Sequence, residues 1–111
     1  MKLKPLLPSL REKKRYIAFE VQTDSPISFE DAKKCIEQSM QKFLGDFGMA
    51  KAGVLFLKDW KNNRGIMRVD AKYTDATKAS LALVKELNNR KAIIQSIKVS
   101  GVLDKIRSSC F

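Results

Sequence analysis

The chain has 111 residues, 44% of them hydrophobic, with 22 Lys and Arg against 12 Asp and Glu for a net charge of +10. That is enough apolar chain for one domain, which at this size buries roughly two thirds of its unfolded surface, so a disordered polyelectrolyte is excluded. No apolar run approaches the ~20 residues of a membrane helix. The absence of histidine removes the usual general base with its Ser and Cys pairs, and Cys35 and Cys110, with no CxxC, make no zinc site.

Residues 1–10 read as an extended tail, held open by Pro5 and Pro8. The same prolines interrupt the place of an apolar signal core, so a cytoplasmic chain is expected. Leu3, Leu6, Leu7 and Leu10 are left for packing on the domain or on a partner. Residues 11–111 read as a single domain. It opens with the cations Arg11, Lys13, Lys14 and Arg15, broken only by Glu12. They run directly into alternating Ile17, Phe19 and Val21, a strand over about 15–22.

Ser28 is placed to cap a helix, with Asp31 three residues on. Its apolar stripe is Phe29, Ala32, Ile36, Met40, Phe43, Leu44 and Phe47, and Gly45 and Gly48 offer stops. Val54–Lys58 and Ile66–Tyr73 read as strands of an antiparallel hairpin around Asn62-Asn63-Arg64-Gly65. Thr74 or Asp75 caps a second helix with the stripe Ala76, Ala79, Ser80, Leu83, Val84 and Leu87, ended by Asn88-Asn89. Ile93–Val99 is a fourth strand. Ser100 opens a short closing helix carrying Val102, Leu103 and Ile106.

The order predicts an α+β fold, a ferredoxin-like βαββαβ sandwich: a four-stranded antiparallel sheet backed by two helices, plus a C-terminal helix. The first and third strands would then be central and neighbours. Sheets of this kind that bind RNA stack bases on aromatics of those two strands. Here Ile66 and Arg68 stand at those positions, and only Tyr16 is available on the first strand, so stacking is not the expected mode.

The positive excess falls on the N-terminal arm, the hairpin and the C-terminal segment, not on the helices, where Glu30, Asp31, Glu37 and Asp46 answer the lysines. Segregated charge points to a polyanion, nucleic acid before an anionic membrane. The candidate RNA contacts are Arg11, Lys13, Lys14, Arg15, Lys61, Arg64, Arg68, Lys105 and Arg107. Leu6, Leu7, Leu10, Trp60 and Leu81, unassigned to any stripe, are the candidate contacts for a protein partner. The second and fourth strands are apolar on both faces, which predicts cover on both. No carboxylate pair, Walker A, GxGxxG or GxSxG motif suggests a catalytic site.

Three stretches carry a family resemblance. Leu7 to Phe19 (Leu-Pro-Ser-Leu-Arg-Glu-Lys-Lys-Arg-Tyr-Ile-Ala-Phe), Arg64 to Val69 (Arg-Gly-Ile-Met-Arg-Val) and Val99 to Lys105 (Val-Ser-Gly-Val-Leu-Asp-Lys) resemble the archaeal ribonuclease P protein component 2 family, shared with eukaryotic ribonuclease P and MRP. Val102 and Asp104 depart from the family's usual ending. The resemblance implies a non-catalytic protein subunit on a catalytic RNA that, with Mg²⁺, removes the 5′ leader of precursor tRNA. The chain itself would bind no cofactor. The resemblance also implies a barrel-fold protein subunit as partner, and a homodimer within a heterotetramer. Two other readings stand beside it. One is a free-standing single-stranded RNA binder that stacks bases on Tyr16 and Trp60. The other is a basic module that meets an acidic protein.

Overall fold

The computed structural model describes residues 13–111. The expectations for the 1–10 tail, for Leu6, Leu7 and Leu10, and for Arg11 fall outside the described residues. The strands are β1 (Lys14–Gln22), β2 (Leu55–Lys61), β3 (Arg64–Asp70), the two-residue pair β4 (Glu86–Leu87) and β5 (Arg90–Lys91), and β6 (Ile93–Ser100). The helices are α1 (Phe29–Ala52), α2 (Thr74–Ala82) and α3 (Leu103–Cys110). One antiparallel sheet has the order β2-β3-β1-β6, so β1 and β3 are central, as the element order predicted.

Local chemistry sets the boundaries. Ser28 caps α1 by accepting a hydrogen bond from the Asp31 N–H at 3.2 Å. The expected stops at Gly45 and Gly48 are not stops. Gly45 takes a left-handed φ of 73° and kinks the helix, which runs on to Gly53. Asn62 and Asn63 both hold positive φ, 52° and 59°, the geometry of a tight two-residue hairpin turn. Arg64 and Gly65 therefore belong to β3 and not to the loop. At the far end of β3 the Asp70 carboxylate accepts from Lys72 N–H at 2.9 Å. That cap ends the strand three residues before Tyr73 and opens a 3-10 turn over Ala71–Tyr73 ahead of α2.

The larger core lies between the sheet and helices α1 and α2. Ile17, Phe19 and Val21 of β1 meet Met67 and Val69 of β3 and Ala32, Ile36 and Met40 of α1, all essentially solvent-free. Phe19 is its centre, edge-on to Phe56 at 6.3 Å and tilted against Trp60 at 6.2 Å. Gly65 sits opposite Phe19 because nothing larger fits: a Cβ there would stand 2.7 Å from the Phe19 ring.

Of two expected partner contacts, Leu81 is corrected by this core and Trp60 is half-buried against it. Trp60 packs on Phe19 and Phe29, and its indole N–H donates to the Ile27 carbonyl at 3.1 Å. Leu81 is 1% exposed. The buried face of α2 is Thr77, Ser80 and Leu81, rotated from the expected stripe, and Leu83 is left in solvent. The helix stops at Ala82, and Asn88-Asn89 makes the β4–β5 turn instead of a helix end.

A second, smaller cluster lies on the opposite face. There α3 sets Ile106 and Cys110 on Ala18 and Ile66, flanked by Tyr16, Leu57 and Leu103. The closing helix thus covers the middle of the sheet's outer face, as the two-faced greasiness of β2 required. On β6 the reason differs. Phe19 pairs with Ser96 and Ala18 with Lys98, so Ile97 is an extra residue in a bulge. The bulge turns both Ile94 and Val99 toward the larger core and leaves Ile93 and Ile97 more than two-fifths exposed.

Candidate nucleic-acid interface

The outer face has two basic ends with α3 between them. At one end β1 enters the sheet. Tyr16 pairs with Arg68, Arg15 with Val69 and Lys14 with Asp70, so the arm's backbone runs beside Arg68, with Lys14 on the outward side of the strand and Arg15 on the side of Ile17 and Val69. The Lys13 carbonyl is held by the Ala71 N–H at 2.7 Å, which fixes the arm's exit. The half-buried Arg15 donates from Nη1 to the Lys14 carbonyl at 3.1 Å and lies over Gly101, where a Cβ would stand 3.3 Å from that nitrogen. Arg68 Nε is buried with no hydrogen-bond partner among the described residues. An arginine donor left unanswered in the folded chain is costly unless something else completes it. Lys105 is exposed on α3, whose first turn follows Gly101.

The other end carries the hairpin turn. Arg64 pairs across the ladder with Glu20, not with the arm, and its Nε donates to the Glu20 carboxylate at 2.8 Å. Arg64 and Arg68, four residues apart, are separated by roughly 13 Å of strand. The hairpin strand's Arg68 end thus neighbours the arm, as expected of adjacent central strands, while Arg64 lies at the other end. Arg107 is also committed, forking onto Asp59 of β2 at 3.0 and 3.1 Å. Lys61 is exposed beside Arg64.

Glu20 and Arg107 respond as ion-pair partners should. The hydrogen bond from Arg64, supported by Gln22, holds the Glu20 carboxyl below its ordinary pKa. Asp59 in turn holds Arg107 firmly protonated. Neither acid was singled out from the sequence. The signal was parity: Glu20 shares the outward side of β1 with Tyr16, as Arg64 does with Arg68 on β3, and antiparallel pairing then sets Glu20 against Arg64. Lys98 and Ser109, joined at 2.8 Å, add a further tie between α3 and the sheet. On the outer face Ile66 lies under α3 with Tyr16 at the edge of that cluster, and Trp60 packs half-buried against the other core.

The sequence model of the Rpp14/Pop5 family matches residues 15–111. The chain belongs to the Rpp14/Pop5 family. It is 40% identical over 107 residues to ribonuclease P protein component 2 of Thermococcus gammatolerans, covering 96% of this chain and 89% of that one. The protein of the same name from Pyrococcus abyssi is 37% identical over 108 residues, 96% of this chain and 92% of the relative. That of Methanosarcina mazei is 35% identical over 103 residues, 93% and 88%. Among solved structures, a chain of yeast ribonuclease MRP aligns with a TM-score of 0.65 over 84% of this chain and 77% of its own, at 14% identity, a likeness of fold. The helix-backed sheet with its C-terminal helix is thus the architecture of this Rpp14/Pop5 chain. Among the described residues no helix is long and apolar enough to cross a membrane.

Proposed function

We propose that this Rpp14/Pop5 chain is a protein subunit of ribonuclease P, binding the catalytic RNA through Lys13, Lys14, Arg15 and Arg68 and supporting removal of the 5′ leader of precursor tRNA. The observation that carries the reading is the pairing of Tyr16 with Arg68, which brings the arm's end of β1 alongside an arginine whose Nε has no partner among the described residues. The family and its curated relatives support the assignment to ribonuclease P.

The mechanism is electrostatic. A folded RNA and its precursor substrate bring phosphates close together, and a rigid row of cations offsets that repulsion and releases counterions. Arginine suits the task because its planar fork meets two phosphate oxygens at once. The RNA, with Mg²⁺, does the cutting. The chain carries no catalytic residue and holds no cofactor. A barrel-fold protein subunit is the proposed protein partner, with a homodimer inside a heterotetramer as the assembly.

Reconstitution tests this. The chain alone should leave precursor tRNA intact. Added with its partner protein to the ribonuclease P RNA, it should lower the Mg²⁺ needed for 5′ cleavage. Cleavage by RNA-free protein would contradict the reading.

A further inference from the structure

We propose that the cavity between the β2–β3 turn and the end of α3 receives one nucleotide unit of RNA, its phosphate on Lys61 and Arg64 and its base against the Phe111 ring. This rests on the RNA-binding reading above and adds a second, separate contact to it.

The cavity has a volume of about 320 Å³ and is lined by Lys61, Asn62, Arg64, Ser108, Ser109 and Phe111, with Cys110 at its back. Its polar groups are arranged as donors. Arg64 is anchored through Nε to Glu20 at 2.8 Å, so the carboxylate fixes the guanidinium while its two terminal nitrogens carry no hydrogen bond within the described residues. Ser109 Oγ accepts from the Lys98 ammonium at 2.8 Å, which leaves its own proton to donate. Ser108 is the complement: its hydroxyl donates to the Lys105 carbonyl at 3.2 Å, so it offers lone pairs to a sugar hydroxyl. Lys61 is exposed on the rim, and Asn62, held at φ 52° by the turn, brings an amide to it.

The local charge balance favours an anion. Arg64 is matched by Glu20 and Arg107 by Asp59, while Lys61 and Lys98 are matched by no acid among the described residues. Phe111 is 37% exposed and lines the cavity with Lys61 and Arg64. A phosphate site with an adjacent ring is what a nucleotide needs, since stacking is tolerant of base identity. Neither half would be as specific alone: cations without the ring would take any phosphate.

The test is a titration of the full chain, followed by backbone amide NMR, with adenosine 5′-monophosphate, adenosine and inorganic phosphate as probes. The monophosphate should move the amides of Lys61, Asn62, Ser109 and Phe111 and bind more tightly than either fragment. Lys61→Ala should weaken it roughly fivefold by removing a charge-assisted donor. Phe111→Ala should weaken it by a similar factor, the low end for a stacked base. Asn62→Gly, which keeps the turn's positive φ, tests the amide without unfolding the hairpin. Lys78→Ala, a cation on α2, should change nothing.

Phosphate binding as tightly as the monophosphate would overturn the nucleotide assignment. So would the absence of shifts at these amides, and if the chain then still bound ribonuclease P RNA, only this inference would fall. A chain that takes the monophosphate here yet binds no RNA would overturn the functional reading and the assignment of the pocket to RNA with it.

Discussion

The two faces of the sheet are closed in different ways. The helix face is sealed along its length by α1 and α2 over Phe19, Met67 and Val69, with polar groups nearly excluded. The outer face is sealed only at its middle, where Ile106 and Cys110 of α3 rest on Ala18 and Ile66. Its ends are left to charge, and the ends differ again. The arm end keeps an arginine nitrogen without a partner among the described residues, whereas at the hairpin end acids hold Arg64 and Arg107. Apart from Arg15, which shares the parity of Ile17, stability and recognition thus live on opposite faces of the same strands. Alternation along β1 is what separates them, since neighbouring residues of a strand serve different faces.

That division can be broken most severely from the helix side. Phe19→Ala removes the ring that Phe56 and Trp60 pack against and should cost roughly 3–5 kcal/mol in urea unfolding. A cost below ~1 kcal/mol would mean that Phe19 is not the centre of the core. Ile106→Ala attacks the outer seal. It should cost about 2 kcal/mol, the low end for a buried isoleucine because a terminal helix can give way locally. Amide exchange should speed up in α3 before it does in β1 or β3. Equal acceleration in all three would deny that the faces are closed separately.

The smallest effect lies at the paired end. Because Arg64 holds the Glu20 carboxyl below its ordinary value, the pair's contribution is complete above about pH 4.3, the unfolded value. It is lost as pH falls through the lower folded pKa. Glu20→Gln should remove that part of the acid dependence while changing stability at pH 7 by less than ~1 kcal/mol. An unaltered acid limb in the variant would show that the ion pair contributes nothing.

How much of this was legible in the sequence follows from which interactions are local. Period-two and helical spacing placed β1, β3, α1 and β6, and Ser28 and the Asn62-Asn63 pair were readable because caps and tight turns are made by neighbours. The end of α2 was not readable. Thr77 and Ser80 turn their hydroxyls back to the Tyr73 and Ala76 carbonyls and so pass as buried residues, which shifts the stripe toward Leu81. Trp60 was misplaced because two extra residues in β2, between its pairings at Phe56 and Trp60, keep the indole on the core side over a longer strand than alternation suggested. At the interface, the cations were visible as residues, but their partners were not. Arg64 with Glu20 and Arg107 with Asp59 are 44 and 48 residues apart, and only the strand register for the first pair and the packing of α3 on the sheet for the second bring them together.

The most direct test is the salt dependence of binding to ribonuclease P RNA, measured for the wild-type chain and for the variant Lys13→Ala, Lys14→Ala, Arg15→Ala, Arg68→Ala. Loss of those contacts should flatten the plot of log affinity against log salt by roughly three units, with the fold intact by circular dichroism. A variant that keeps the wild-type slope would contradict the claim that this end of the sheet meets the RNA.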